Sequence, residues 1–142
     1  MFMRSIQSLC LIQSILMKTD LSNATFIIPI RIESDDRLRN VVTSIAFLVE
    51  NFDTNIIVKE VDKESVFQTE VLPIFEEILE VDLWKNFHHI FERSEEPLFH
   101  RQRVLNEMIA ECETDIVVNY DCDVILPMKS YELAYNGITD GI

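Results

Sequence analysis

Two aspartates, Asp121 and Asp123, stand on either side of Cys122 directly after the apolar run DIVVNY at residues 115–120. Carboxylates at i and i+2 where a strand ends can converge on one point as the backbone turns, because alternate strand residues share a face. Oxygen donors of this kind suit hard divalent cations, Mn2+ or Mg2+, which commonly share one or two carboxylates with substrate phosphates. A solvated turn accounts for the same residues, and a bare D-x-D is a weak motif. Its position behind so apolar a run favours the ligating reading.

Arginines supply the second candidate set. Arg101 and Arg103 open a predicted helix in FHRQRVLNEM, residues 99–108. Free N–H groups and the helix dipole favour anions there, and guanidinium groups add bidentate donors. The plainer alternative is a pair of surface arginines balancing Glu92, Glu95, Glu96 and Glu107. Arg31, directly after the first predicted strand, is the best placed of Arg31, Arg37 and Arg39 to face a ligand. His88 and His89 are adjacent on a predicted strand and point to opposite faces, so a structural role suits them better than a shared metal. The D-x-D also differs from that of haloacid-dehalogenase-type phosphohydrolases. There it follows the first strand and precedes Gly-Thr, whereas here it follows the last predicted strand and precedes Val124-Ile125-Leu126-Pro127.

Charge limits what such a site can bind. The chain of 142 residues carries 12 Lys+Arg against 25 Asp+Glu, a net charge of −13. A surface this acidic repels nucleic acid and anionic lipid. A phosphorylated ligand therefore requires a local cation, either a metal or a few placed arginines. Cys10, Cys112 and Cys122 form no CxxC pair and are odd in number, which fits a reducing, cytoplasmic setting better than a disulfide framework. Polar residues Ser5, Gln7, Ser8, Gln13 and Ser14 interrupt the apolar N-terminus, so a stable membrane span is not expected. Residues 1–22 read as a leader or amphipathic extension outside the fold, and residues 23–142 as one domain.

Hydrophobic periodicity sets the scaffold around these residues. Apolar, β-branched runs predict strands at residues 25–30, 55–61, 86–91 and 115–120. Between them, helical periodicity predicts one helix after an N-cap at Ser34, with Leu38, Val41, Val42, Ile45, Leu48 and Val49 inward. A second helix is predicted over residues 69–80, with Val71, Ile74, Phe75, Ile78 and Leu79 inward and Pro73 in its first turn. A third, after Pro97, turns Val104, Leu105, Met108, Ile109 and Cys112 inward. A further helix is expected to start near residues 130–136. Alternation of this kind predicts an α/β fold whose mainly parallel sheet is flanked by helices, with ligands beyond the carboxyl ends of the strands. Arg31, Asp62, Asp121 and Asp123 all fall there.

Three segments in this order, IIPIR at residues 27–31, FHRQRVLN at 99–106 and DCDVILPM at 121–128, resemble the β-1,4-galactosyltransferases and related inverting glycosyltransferases of the Rossmann-like GT-A fold. The family reads roughly IIPFR, FNRxxLLN and DVDLIPM, and the likeness covers about residues 24–131. The resemblance implies transfer of a hexosyl group, such as galactose or N-acetylhexosamine, from a UDP-sugar to a hydroxyl of a carbohydrate acceptor. It implies that Pro29 and Arg31 line the nucleotide pocket, that Phe99 and Arg101 contact uridine and diphosphate, and that Asp121 lies near the ribose. Asp123 would ligate the Mn2+, or Mg2+, that bridges the pyrophosphate, and Asp62 would contact base or ribose. His100 stands where the family has Asn.

In that family an acceptor half follows, with a Gly-rich segment, a Glu-Asp base and a histidine metal ligand. No catalytic base is assigned within this chain. The expected sheet is accordingly incomplete at its C-terminus, with self-association through exposed apolar surface as the expected consequence. Two rival readings remain at this level: a truncated, non-catalytic nucleotide-binding remnant or interaction module, and a plain α/β domain whose D-x-D is a solvated turn.

Overall fold

A computed structural model of the chain describes residues 18–79 and 85–141. Most of the expected leader, residues 1–17, lies outside the described residues. Four strands run in parallel: β1 (Thr19–Ile30), β2 (Phe52–Asp62), β3 (Phe87–Arg93) and β4 (Ile116–Asn119). They alternate with helices α1 (Asp35–Asn51), α2 (Leu72–Ile78), α3 (Arg101–Glu111) and α4 (Met128–Thr139), and a π-helical turn, Phe67–Val71, leads into α2. The predicted order of strands and helices is therefore the observed one, an α/β sandwich of Rossmann-like type.

Strand order across the sheet is β3-β2-β1-β4. The chain builds outward from β1 through β2 to β3, then crosses back to lay β4 on the far side of β1. Reversing the direction of winding moves the crossover helix to the other face. Accordingly α1, α2 and α4 share one face with Phe26, Ile28, Ile30, Ile56 and Val58. On the other, α3 packs Val104, Leu105 and Met108 against Ile27, Ile57 and Val61. With both faces covered, β1 is buried without interruption from Ala24 to Ile30, as expected of an interior parallel strand.

Local chemistry sets the first helix. Ser34 is extended and its Oγ accepts the Arg37 N–H at 3.1 Å, while Asp35 and Asp36 occupy the first turn. Val41, Ile45 and Leu48 are fully buried, and Leu38, Val42 and Val49 pack beside them.

Several boundaries differ from the pattern. β1 begins at Thr19, and Leu21 is only 2% exposed in the core. Its pairing with β2 slips between Asp20 and Thr25, so the alternation expected of a strand is broken there. Ile78 and Ile109, expected inward, are 49% and 51% exposed, because each helix touches the sheet along a narrower stripe than its apolar residues span. Among the described residues no helix is long and apolar enough to cross a membrane.

Candidate functional site at the switch point of the sheet

The crevice where winding reverses lies between the carboxyl ends of β1 and β4. Pairing between them stops at Ile27 opposite Asn119, followed by a Tyr120 N–H to Ile27 C=O bond of 3.1 Å. Ile27 turns its backbone groups towards β4, and Pro29, two residues on, has the same orientation. Proline lacks a donor, and here it is needed for none, because β4 has already left the sheet. Pro29 is thus a buried strand residue whose backbone borders the crevice.

Arg31 follows at the mouth. Its Nε donates to the Val61 carbonyl at 2.7 Å, and its Nη1 to the carbonyls of Glu96 and Pro97 at 3.1 and 3.0 Å. The guanidinium also lies over the Phe99 ring, 5.6 Å from its centroid. One arginine thereby ties the end of β2 to the loop that leads into α3. Its Nη2 is buried and, among the described residues, has no acceptor. A buried donor without an acceptor costs about 1–3 kcal/mol, a cost that an oxygen brought within reach by movement of the covering loop would relieve.

Arg31→Lys cannot reproduce the three bonds, since a lysine lacks the planar fork. We expect it to destabilise the fold by about 1–3 kcal/mol and to speed hydrogen exchange in residues 94–99. Unchanged exchange in that loop would show that Arg31 does not anchor it.

The arginine pair at the start of α3 separates. Arg101 reaches β4, donating from Nη2 to Asn119 Oδ1 at 3.1 Å and to Asp121 Oδ1 at 2.5 Å. Arg103 instead faces β3 and joins a network with Glu92 at 2.8 Å and Glu107 at 2.7 Å, in which Lys59 meets Glu107 at 2.6 Å. Hydrogen bonds from Lys59, and then from Arg103, hold the Glu107 carboxyl below its usual range. The balancing role thus belongs to Arg103, and Arg101 is the one at the crevice.

The acidic triplet forms a tight turn closed by Val124 N–H to Asp121 C=O at 3.2 Å. No residue of it has a positive φ, which leaves a type I geometry, with aspartate favoured at its first position. Two tyrosines brace the segment beyond the turn. Leu126 N–H donates to Tyr131 Oη at 3.0 Å, the Tyr120 and Tyr131 hydroxyls bond at 2.7 Å, and Tyr120 donates onward to the Val124 carbonyl. Burial, and then the Tyr131 bond, push the Tyr120 phenol well above its ordinary range, so it stays a donor.

Cys122 is buried beneath the turn, and Arg37 of α1 donates to its Sγ at 3.3 Å. That bond, together with the fields of Cys122, Asp123 and Glu33, holds the Arg37 guanidinium above its usual range. Arg37 therefore belongs with the site, although Arg31 ranked above it in the sequence. Arg39 pairs with Asp36 on the surface of α1. Asp62 ends β2, where its Oδ1 accepts the Lys63 N–H at 2.7 Å and its carbonyl accepts Ser94 N–H at 2.9 Å. Asn119 is the residue of the crevice that the sequence did not single out.

Three guanidinium groups, of Arg31, Arg37 and Arg101, thus gather at one end of an acidic sheet beside two exposed carboxylates. Asp121 is neutralised by Arg101, whereas Asp123 makes no ion pair among the described residues. No group of three or more His, Cys, Asp or Glu among the described residues is arranged to hold an ion unaided. Asp123 offers one carboxylate free of an ion pair among the described residues, so a divalent cation there would need the rest of its shell from phosphate and water. Comparison of this chain with family models, curated proteins and solved structures found no match.

Proposed function

We propose that this chain binds a UDP-sugar at the β1/β4 crevice and serves a metal-dependent glycosyltransferase reaction in which a hexosyl group passes to an acceptor hydroxyl. The observation that carries the reading is the buried Arg31 Nη2, without an acceptor among the described residues, on a guanidinium that lies over Phe99, two residues before the Arg101 that pairs with the acidic turn. Open parallel sheets bind nucleotides at this switch point, and the three motifs that line it are those of the sequence resemblance.

In this reading Asp123 holds Mn2+ or Mg2+ and Asp121 sits by the ribose, with Phe99 against the uracil. Bound there, the ion neutralises charge on the leaving diphosphate. Arg101 and the first-turn N–H groups of α3 add to that stabilisation from the protein side. Arg31 would donate its free N–H to an oxygen of the nucleotide. Deprotonation of the acceptor hydroxyl calls for a base, and no residue of this chain is assigned to it.

Calorimetry of UDP with the full chain, in Mn2+ and in chelator, tests the binding step. The expected result is saturable binding in Mn2+ that weakens at least about tenfold without it, since the ion supplies the main counter-charge. Absence of binding in both conditions would favour a plain α/β domain. Turnover of UDP-sugars separates the remaining readings, because binding without hydrolysis or transfer is the behaviour of a nucleotide-binding remnant.

A further inference from the structure

Away from the crevice, strand β3 forms one border of the sheet, and among the described residues nothing pairs with its outer edge. A hollow of about 950 Å3 is lined by five successive β3 residues, Phe87, His88, His89, Ile90 and Phe91. The hollow also touches Ile57 on one face of the sheet and Leu72 on the other, so it opens on both sides of β3. Exposed edges of this kind are templates for another strand.

We propose that this edge pairs antiparallel with the same edge of a second copy of the chain, about a two-fold axis at Ile90. Backbone parity permits it. Asn86 C=O bonds Ile56 N–H at 2.9 Å and Ser94 N–H bonds Asp62 C=O at 2.9 Å, so even-numbered β3 residues address β2. Odd-numbered residues Phe87, His89, Phe91 and Arg93 therefore turn their N–H and C=O groups outward. An axis at Ile90 sets His89 against Phe91 and Phe87 against Arg93, each as a hydrogen-bonded pair. The pairs between them, where side chains come closest, are His88 with Glu92 and Ile90 with itself. Each two-fold contact thus sets His88 beside Glu92 twice around an apolar centre, with Glu92 shared between His88 of the second copy and its own Arg103, a self-complementary arrangement of the kind an isologous interface requires.

Charge also selects β3 over the opposite border. Tyr120 N–H addresses β1, so Val117 and Asn119 face outward on β4. The equivalent axis at Val118 would oppose Val117 with Asn119 and then Asp115 with Asp121, a like-charge pair on each side. β3, with His88, His89, Glu92 and Arg93, is by contrast a near-neutral stretch on a chain of net charge −13. Two such acidic molecules can approach closely at β3.

Sedimentation equilibrium on the full chain and three variants tests the pairing. The wild type is expected to dimerise. His88→Glu, which faces Glu92 of the second copy, should weaken the dimer about 3- to 30-fold, and His88→Lys should tighten it by a smaller factor. Phe91→Pro removes an outward N–H and no bond to β2, so the dimer should weaken by about 100-fold or more while the monomer keeps its sheet. A wild-type monomer at every concentration, or a dimer indifferent to both His88 charge changes, overturns the proposal. Should Phe91→Pro fail to fold, the opposite signs expected of the two His88 variants still decide it.

Discussion

Glu60→Ala is expected to cost about 3–5 kcal/mol, a large part of the roughly 5–15 kcal/mol that holds a domain of this size folded. Glu60 is 0% exposed, near the carboxyl end of a β2 face that also carries Phe52, Thr54, Ile56 and Val58. Its carboxylate accepts Ser65 Oγ at 2.6 Å, the Phe67 N–H at 3.0 Å and lies 3.2 Å from His89 Nε2. The His89 ring in turn stacks on Phe67 at 4.4 Å. One acid therefore joins the edge strand β3 to the π-helical turn that starts the next crossover. Removing it leaves a buried N–H, a hydroxyl and an imidazole without an acceptor, each costing more than the bond it loses.

The same group gives acid sensitivity a definite sign. Burial alone would raise the Glu60 pKa, but the bonds from His89, Ser65 and the Phe67 N–H outweigh it, and the carboxyl is held below its usual range. A carboxyl with a depressed folded pKa stabilises above its unfolded value, about 4.3, and loses that contribution as pH falls through the folded value. Urea denaturation from neutral pH down to acid should therefore show stability falling below about pH 4.3 in the wild type. Glu60→Gln should be less stable at neutral pH, by about 1–3 kcal/mol, and its acid slope should be shallower. A variant as stable as the wild type at neutral pH would remove Glu60 from the set of groups that hold β3 in place.

This buried cluster was invisible in the sequence, whereas the layer order was not. Strands and helices announce themselves through apolar runs such as FIIPI and IVVN and through stripes such as Val41, Ile45 and Leu48. Those patterns arise from burial, and burial made the sheet. Glu60 carries no distinguishing signal within the predicted strand at residues 55–61, because the partners that make it tolerable lie 5, 7 and 29 residues away. Convergence of that kind is tertiary information. At the crevice, Arg31, Arg101 and Asp121 were readable because each adjoins the carboxyl end of a strand or the start of a helix, whereas Phe99 entered only through the resemblance. The sequence reading pairs Arg101 with Arg103, although residues two apart on a helix are rotated by about 200° from each other and so meet different neighbours. Arg37 was harder to place, because a helix surface offers many arginine positions and only the fold decides which one meets Cys122.

Asp123 and Arg101 should fail in different ways if the crevice binds a metal–diphosphate. Asp123 is exposed and without an ion pair among the described residues, so its carboxylate is open to an incoming cation. Loss of even an outer-shell partner lowers metal affinity about 10–100-fold, so loss of the ligand itself should cost Asp123→Ala most of the metal-dependent gain, about tenfold or more in UDP affinity in Mn2+. In chelator the variant should match the wild type, because the group removed acts only through the ion. Arg101 acts directly on the anion, so Arg101→Ala should weaken UDP about 10- to 100-fold both with and without Mn2+, the size of a charged hydrogen bond. Arg103→Ala provides the contrast, since its guanidinium is spent on Glu92 and Glu107. Its UDP affinity should equal that of the wild type. Combining the Asp123 variant with metal removal closes a thermodynamic cycle, and only a coupling between the two identifies the aspartate as a ligand. Equal losses with and without Mn2+ would assign Asp123 a role in shaping the turn and not in holding the ion, since a carboxylate by itself repels the diphosphate, and wild-type affinity in Asp123→Ala would leave the acidic triplet a solvated turn.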